Sequence, residues 1–186
     1  MSPEDANTSA ADHVAVFYRH DAELADQVAG FLQSSLGDAG VAVVVATAGH
    51  ERLVRARLAQ AGVDLAAARD EGRYLALDAA QTLDRFMIGD WPDPAGFWQV
   101  IGDVIRKAAG HDQVVRVYGE MVALLWQDGL TAAAIDVEAL WNELGTRYDF
   151  SLACGYPVAD VIGEERSDAL AEVCDAHTAA IGYPRF

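Results

Sequence analysis

The sequence predicts an α/β fold: three layers, with a mostly parallel five-stranded sheet and helices on both faces. Two observations carry this. Five short runs of β-branched, aromatic and small apolar residues are each separated by a stretch with helical periodicity; strands that alternate with helices pair in parallel through right-handed crossovers. The second run, 41–47 (VAVVVAT), is apolar nearly throughout, as a strand covered on both faces must be. At 186 residues and 52% hydrophobic content, the chain has the size of about one domain and enough apolar surface for a core.

The elements follow in order. Residues 1–12 are small and polar and read as a disordered tail. His13–Tyr18 (HVAVFY) is the first strand, bounded by charge. Asp21 suits a helix start, and Leu24, Val28, Phe31, Leu32 and Leu36 keep one face of that helix apolar until Gly37 and Gly40 end it. After the second strand, a helix carrying Leu53, Val54, Leu58 and Ala61 runs to Gly62, and a short helical piece (63–69) leads to Gly72. The third strand is 73–78 (RYLALD), followed by a helix over 80–86 and a loop, 89–94 (GDWPDP). Phe97, Val100, Ile101, Val104, Ile105 and Ala108 mark an amphipathic helix over 97–109. The fourth strand is 114–118; helices over 120–127 and 131–144 come next, then a fifth strand over 150–153 that ends at Cys154-Gly-Tyr-Pro157. A last helix, 167–177, lies in a helical extension over 159–186, outside the main body at 13–158.

Composition excludes several classes of function. A net charge of −16 repels nucleic-acid phosphates and anionic lipid heads, so neither nucleic acid nor membrane is expected as a partner. Cys154 and Cys174 form no CxxC pair, and no His–Cys spacing points to zinc. Two unpaired thiols, with no signal peptide, point to a reducing cytoplasm. No metal and no cofactor is expected.

The turn after the first strand reads Tyr18-Arg-His-Asp-Ala-Glu23. A nucleotide-hydrolysing P-loop needs GxxxxGK[ST] there, because glycine amides and a lysine hold the phosphates. Here Asp21 and Glu23 would repel an anion, so no binding of ATP with magnesium is expected. GxGxxG, GxSxG and HExxH are also missing. The chain is therefore expected not to be an enzyme; a carboxylate pair made of Glu120 and Glu138 is the one arrangement that would argue otherwise.

From 13 to 157 the chain resembles the MEDS sensory domain of methanogen and methylotroph proteins and a dichloromethane-responsive regulator. The matching residues are His13-Val-Ala-Val-Phe-Tyr18, Gly72, Asp78-Ala79, Pro92-Asp93 with Phe97, Arg116-Val-Tyr-Gly-Glu-Met121, Glu138-Ala-Leu-Trp-Asn142 and Cys154-Gly-Tyr-Pro157. The resemblance implies a degenerate RecA/KaiC-like P-loop fold without the Walker loop. It also implies a sensor of small, hydrocarbon-like molecules that regulates transcription or a histidine kinase pathway. The sequence carries neither a kinase nor a helix-turn-helix, so a signalling protein partner is expected; a homodimer is compatible with this.

Ligands of open α/β sheets sit beyond the carboxyl ends of the strands. Three pairs are candidates for such a pocket. Arg116, in the fourth strand, and Glu120, at the next helix start, either line it or form a structural ion pair. Glu138 and Asn142, four apart on one helix, either point a carboxylate and an amide toward the strand ends or form a wet boundary. Tyr18 and Tyr156 end neighbouring strands, and either wall one pocket with phenols or simply pack. His13, at the opposite end of its strand, reads as structural, His20 as exposed, and Cys154 as inert packing. Set against a small-molecule sensor is a protein-interaction module, a decayed P-loop fold whose strand-end site is filled and which exposes an apolar patch.

Overall fold

Six strands, not five, build the main sheet of the computed structural model, which describes residues 12–37, 39–110, 113–161 and 167–182. They are β1 (His13–Tyr18), β2 (Val41–Ala46), β3 (Tyr74–Asp78), β4 (Val115–Gly119), β5 (Ser151–Pro157) and β6 (Ala179–Ile181). Their order is β3-β2-β4-β5-β1-β6, and every pairing is parallel. The sixth strand corrects the expectation of a wholly helical extension over 159–186. Three residues are too few to show a periodicity; what makes them a strand is the edge of β1, against which Val14 pairs with Ala179 and Val16 with Ile181. Residues 1–11 of the expected tail lie outside the described residues.

Two more boundaries move for the same reason. β5 starts at Ser151 and runs through Pro157, so Cys154, Gly155 and Tyr156 lie within the strand rather than at its end. What carries the strand on is β1, which pairs with β5 from His13–Leu152 to Tyr18–Pro157. Within the expected loop over 89–94, Trp91–Pro92 pairs with the preceding Met87–Ile88 in a two-residue antiparallel ladder.

Strand alternation sends one set of side chains to each face. Val14, Val16, Tyr18, Ala42, Val44, Tyr118 and Ala153 pack against α1 (Asp21–Gly37), α2 (Ala48–Gln60) and α3 (Leu65–Asp70). Ala15, Phe17, Val43, Val117, Leu152, Cys154 and Tyr156 face the other layer. That layer holds α4 (Ala79–Asp84), α5 (94–108, with a π-turn at Trp98–Gly102), α6 (Met121–Gln127), α7 (Thr131–Gly145), α8 (Val158–Val161) and α9 (Ser167–Ala176). Oxygen side chains fix the helix starts: Thr47 caps α2, Asp78 caps α4 and Asp93 caps α5 with Pro94 in the first turn. Among the described residues no helix is long and apolar enough to cross a membrane.

Candidate functional site

Two buried polar clusters sit on opposite sides of the sheet, and a groove opens beside one of them. The first cluster is at the carboxyl end of β4. Glu120 follows the strand, is 2% exposed, and holds its backbone N–H on Val45 O at 3.0 Å. Its carboxylate accepts from Thr47 N–H, from Tyr118 Oη at 3.0 Å and from His50 Nδ1 at 2.7 Å. Thr47 is the cap of α2, so Glu120 places a negative charge where the helix dipole favours one. His50 also lies 3.4 Å from Asp21, and its ring meets the edge of Tyr18 at 5.8 Å. The hydrogen bond to Glu120 raises the His50 pKa; burial opposes this and is outweighed. Burial and Glu120 raise the Tyr18 and Tyr118 phenols, so both remain protonated donors. The protein's own groups thus satisfy one another at the strand end.

The second cluster lies under the opposite face, where α7 and α9 cover β1 and β5. At its centre is Glu138, fully buried. Oε1 accepts from Tyr156 Oη, and Oε2 receives the Cys154 thiol at 3.5 Å and lies 3.1 Å from His13 Nε2. His177 Nε2 stands 3.4 Å from Oε1. His13 and His177 rings are 4.0 Å apart. Burial alone would raise the Glu138 pKa, but the two histidines beside it, His13 and then His177, hold it well below the usual carboxylate range. For His177, burial works against the charged form, and Glu138 more than compensates, so its pKa rises. Burial and then Glu138 push the Cys154 thiol and the Tyr156 phenol up. An uncompensated carboxylate this deep costs several kcal/mol, so these partners are obligatory.

The groove lies between α1 and the sheet, on the first cluster's face. Val14, Val16, Phe31, Ala153 and Ile181 supply its apolar walls around a cavity of about 420 Å³. Arg116 enters it from β4, donating to Phe31 O at 3.1 Å and stacking over the Phe31 ring at 4.9 Å. Arg116 Nε and Gln27 Oε1 are buried without a hydrogen-bond partner among the described residues. Burial lowers the Arg116 pKa, an effect that Asp12 opposes.

A family model described as MEDS, the methanogen/methylotroph, DcmR sensory domain, matches residues 12–178. The chain belongs to the MEDS family. No curated protein sequence matches it. Among solved structures, this MEDS domain is similar to an uncharacterised protein, PH0321 from Pyrococcus horikoshii, crystallised with an unknown peptide. The TM-score is 0.70 at 10% identity, covering 95% of this chain and 79% of that one. That likeness concerns the fold.

The MEDS domain separates the residue pairs that the sequence joined. Tyr18 and Tyr156 are on adjacent strands, but Tyr156 is in register with Phe17, so Tyr18 points to the opposite face. They cannot wall one pocket. Arg116 and Glu120 share a face, yet four residue steps along β4 separate them by roughly 13 Å; Arg116 sits near the start of β4 in the groove, and they form no pair. Glu138 and Asn142 do act together: Asn142 Oδ1 accepts from His13 Nδ1–H at 2.9 Å, and its amide donates to Ala176 O at 3.0 Å. They point beneath the sheet rather than past the strand ends. Glu120 and Glu138, on opposite sides of the sheet, make no carboxylate pair. His13 and Cys154, read as structural and inert, and His177, not singled out at all, complete the cluster. The signal for them was weak, because 141 residues separate His13 from Cys154. The alternation Cys154-x-Tyr156 on a single strand face was the one local clue.

Proposed function

We propose that this MEDS domain is a non-enzymatic sensor that binds a small, partly apolar molecule in the groove between α1 and the sheet. Binding there would regulate a signalling partner in a transcriptional or histidine-kinase pathway of the cytoplasm. The observation that carries this reading is the pairing of an apolar wall with two buried, unpartnered polar atoms, the donor Arg116 Nε and the acceptor Gln27 Oε1. Each is costly to leave unsatisfied, by about 1–3 kcal/mol, so a guest that satisfies both gains affinity and orientation. A neutral molecule with a short apolar body and one acceptor and one donor fits this chemistry. Sensory membership of the family supports the role.

A thermal-shift screen of small alcohols, amides and halogenated hydrocarbons tests the reading. Compounds that fit raise the melting temperature with dose, as ligands of the native state must. Arg116→Met keeps the stem's packing on Phe31 and loses the response. If no compound stabilises the protein, or Arg116→Met responds like wild type, the groove is not the sensor site.

Two observations favour a second reading, a protein-interaction module. The strand-end site is filled by Glu120, His50 and Tyr118, and the short antiparallel ladder exposes Ile88 and Trp91 at 71% and 58%. Pull-down with wild type and Trp91→Ala separates the two, since only this reading requires Trp91.

A further inference from the structure

We infer that His13, Glu138, Cys154 and His177 form a site for a single divalent transition-metal ion of zinc type, buried between the sheet and helices α7 and α9. This inference stands apart from the groove and from any small-molecule ligand there.

Geometry comes first. One ligand atom from each residue lies within 4.8 Å of all the others. The close approaches are 3.1 Å for His13 Nε2–Glu138 Oε2, 3.4 Å for His13 Nε2–Cys154 Sγ, 3.5 Å for Cys154 Sγ–Glu138 Oε2 and 3.4 Å for His177 Nε2–Glu138 Oε1. A tetrahedron with metal–nitrogen and metal–oxygen bonds near 2.0 Å and a metal–sulfur bond near 2.3 Å has edges of roughly 3.3–3.7 Å. His13 Nε2, Cys154 Sγ and Glu138 Oε2 already stand near those edges; His177 Nε2, which lies nearest Oε1, completes the tetrahedron by closing on them from within 4.8 Å.

The ring orientations supply an independent argument. His13 Nδ1–H donates to Asn142 Oδ1, and His177 Nδ1–H donates to Val173 O at 2.6 Å. Both acceptors are oxygens with no proton to give, so in the neutral imidazoles Nε2 carries a lone pair, and both Nε2 atoms face Glu138. His177 Nε2 is buried and makes no hydrogen bond among the described residues. Two lone pairs, a carboxylate and a thiol converging on one point require positive charge there. Protons on the imidazoles are one source; a dication is the other, and the outer hydrogen bonds are those that orient histidine ligands toward metal. Burial requires that the site be neutral overall. With Glu138 and Cys154 both anionic and both histidines neutral, M²⁺ makes the site electrically neutral, as one imidazolium beside Glu138 does while the thiol keeps its proton; neutrality admits both and the titration below decides between them. Binding expels the Cys154 thiol proton and any proton on either Nε2 to solvent. The mixed nitrogen, sulfur and oxygen set suits zinc or cobalt better than magnesium or calcium, which take oxygen. A pocket of about 230 Å³ lined by Asp12, Asn142 and Thr178 reaches His13, the one of the four ligands that it touches.

The test uses the full chain, treated with chelator and titrated with Co²⁺. One equivalent should bind with visible bands of tetrahedral cobalt and a near-ultraviolet thiolate-to-cobalt band, displaced by Zn²⁺. Cys154→Ser should abolish the thiolate band, and His177→Ala and Asn142→Ala should each weaken binding about 10–100-fold. Circular dichroism identifies variants that fail to fold; for these, the wild-type spectrum alone decides. Absence of cobalt bands in wild type overturns the proposal. So does weak binding without a thiolate band, which marks surface carboxylates of this acidic chain, or a thiolate band that survives Cys154→Ser.

Discussion

Gly155 meets two demands at a single position. Its neighbours Cys154 and Tyr156 point to the Glu138 cluster, and on the other face a Cβ at 155 would lie 2.6 Å from Tyr118 Oη. That hydroxyl is fixed by its bond to Glu120. Glycine therefore lets the two polar clusters approach the same strand from both sides. Gly155→Ala should destabilise the protein by about 1–3 kcal/mol through overpacking, read by urea unfolding. Adding Tyr118→Phe removes the atom in conflict, so the double variant should lose less than the sum of the two single losses. Additive losses would show that the strain lies elsewhere.

Among the elements, α2 docks with the help of charge. Its buried core contacts are Val54 and Leu58, a short apolar stripe. Glu120 at the end of β4 binds its cap residue and His50 in its first turn. The charged and titratable groups facing His50 are Glu120, Asp21 at the start of α1 and Tyr18 in β1. Because Glu120 raises the folded pKa of His50 above its ordinary value, protonated His50 stabilises the fold. That stability is fully present below about pH 6.5 and is lost as pH rises through the higher folded pKa. In urea unfolding across this window, wild type should lose more stability with rising pH than His50→Gln does. Equal slopes would mean that His50 does not share a proton with Glu120. At this scale the sequence was legible where the local signal was clear: β1 and α1 (His13–Tyr18 and Asp21–Gly37) lie where a β-branched and aromatic run and an apolar stripe put them. The extension of β5 and the existence of β6 were not legible, since neighbouring strands rather than local residues supply their ladder partners.

For the whole molecule, charge is the dominant long-range term. The chain carries 29 acidic and 13 basic side chains, so the folded state repels itself more than the expanded one. Raising sodium chloride from low levels toward about 0.15 M, where the Debye length falls to about 8 Å, should raise the melting temperature. A flat or falling melting temperature would indicate that local ion pairs such as Arg69–Glu51 outweigh the net repulsion.

By itself the sequence determined the alternation of strands and helices, the three-layer class, the family and the absence of a phosphate loop. All of these are local or composition-level properties, carried by the periodicity and the motifs of contiguous residues. It also placed Glu138 and Asn142 on one helix face, because four residues make about one helical turn. Only the tertiary structure decided which polar groups meet. Strand register put Tyr18 and Tyr156 on opposite faces, and the distance along β4 parted Arg116 from Glu120. The parallel pairing of β1 with β5, closed over by α7 and α9, brought His13, Glu138, Cys154 and His177 within 4.8 Å. Residues so far apart in the chain have no spacing to read; their meeting depends on the crossovers, which the hydrophobic pattern demands but does not order.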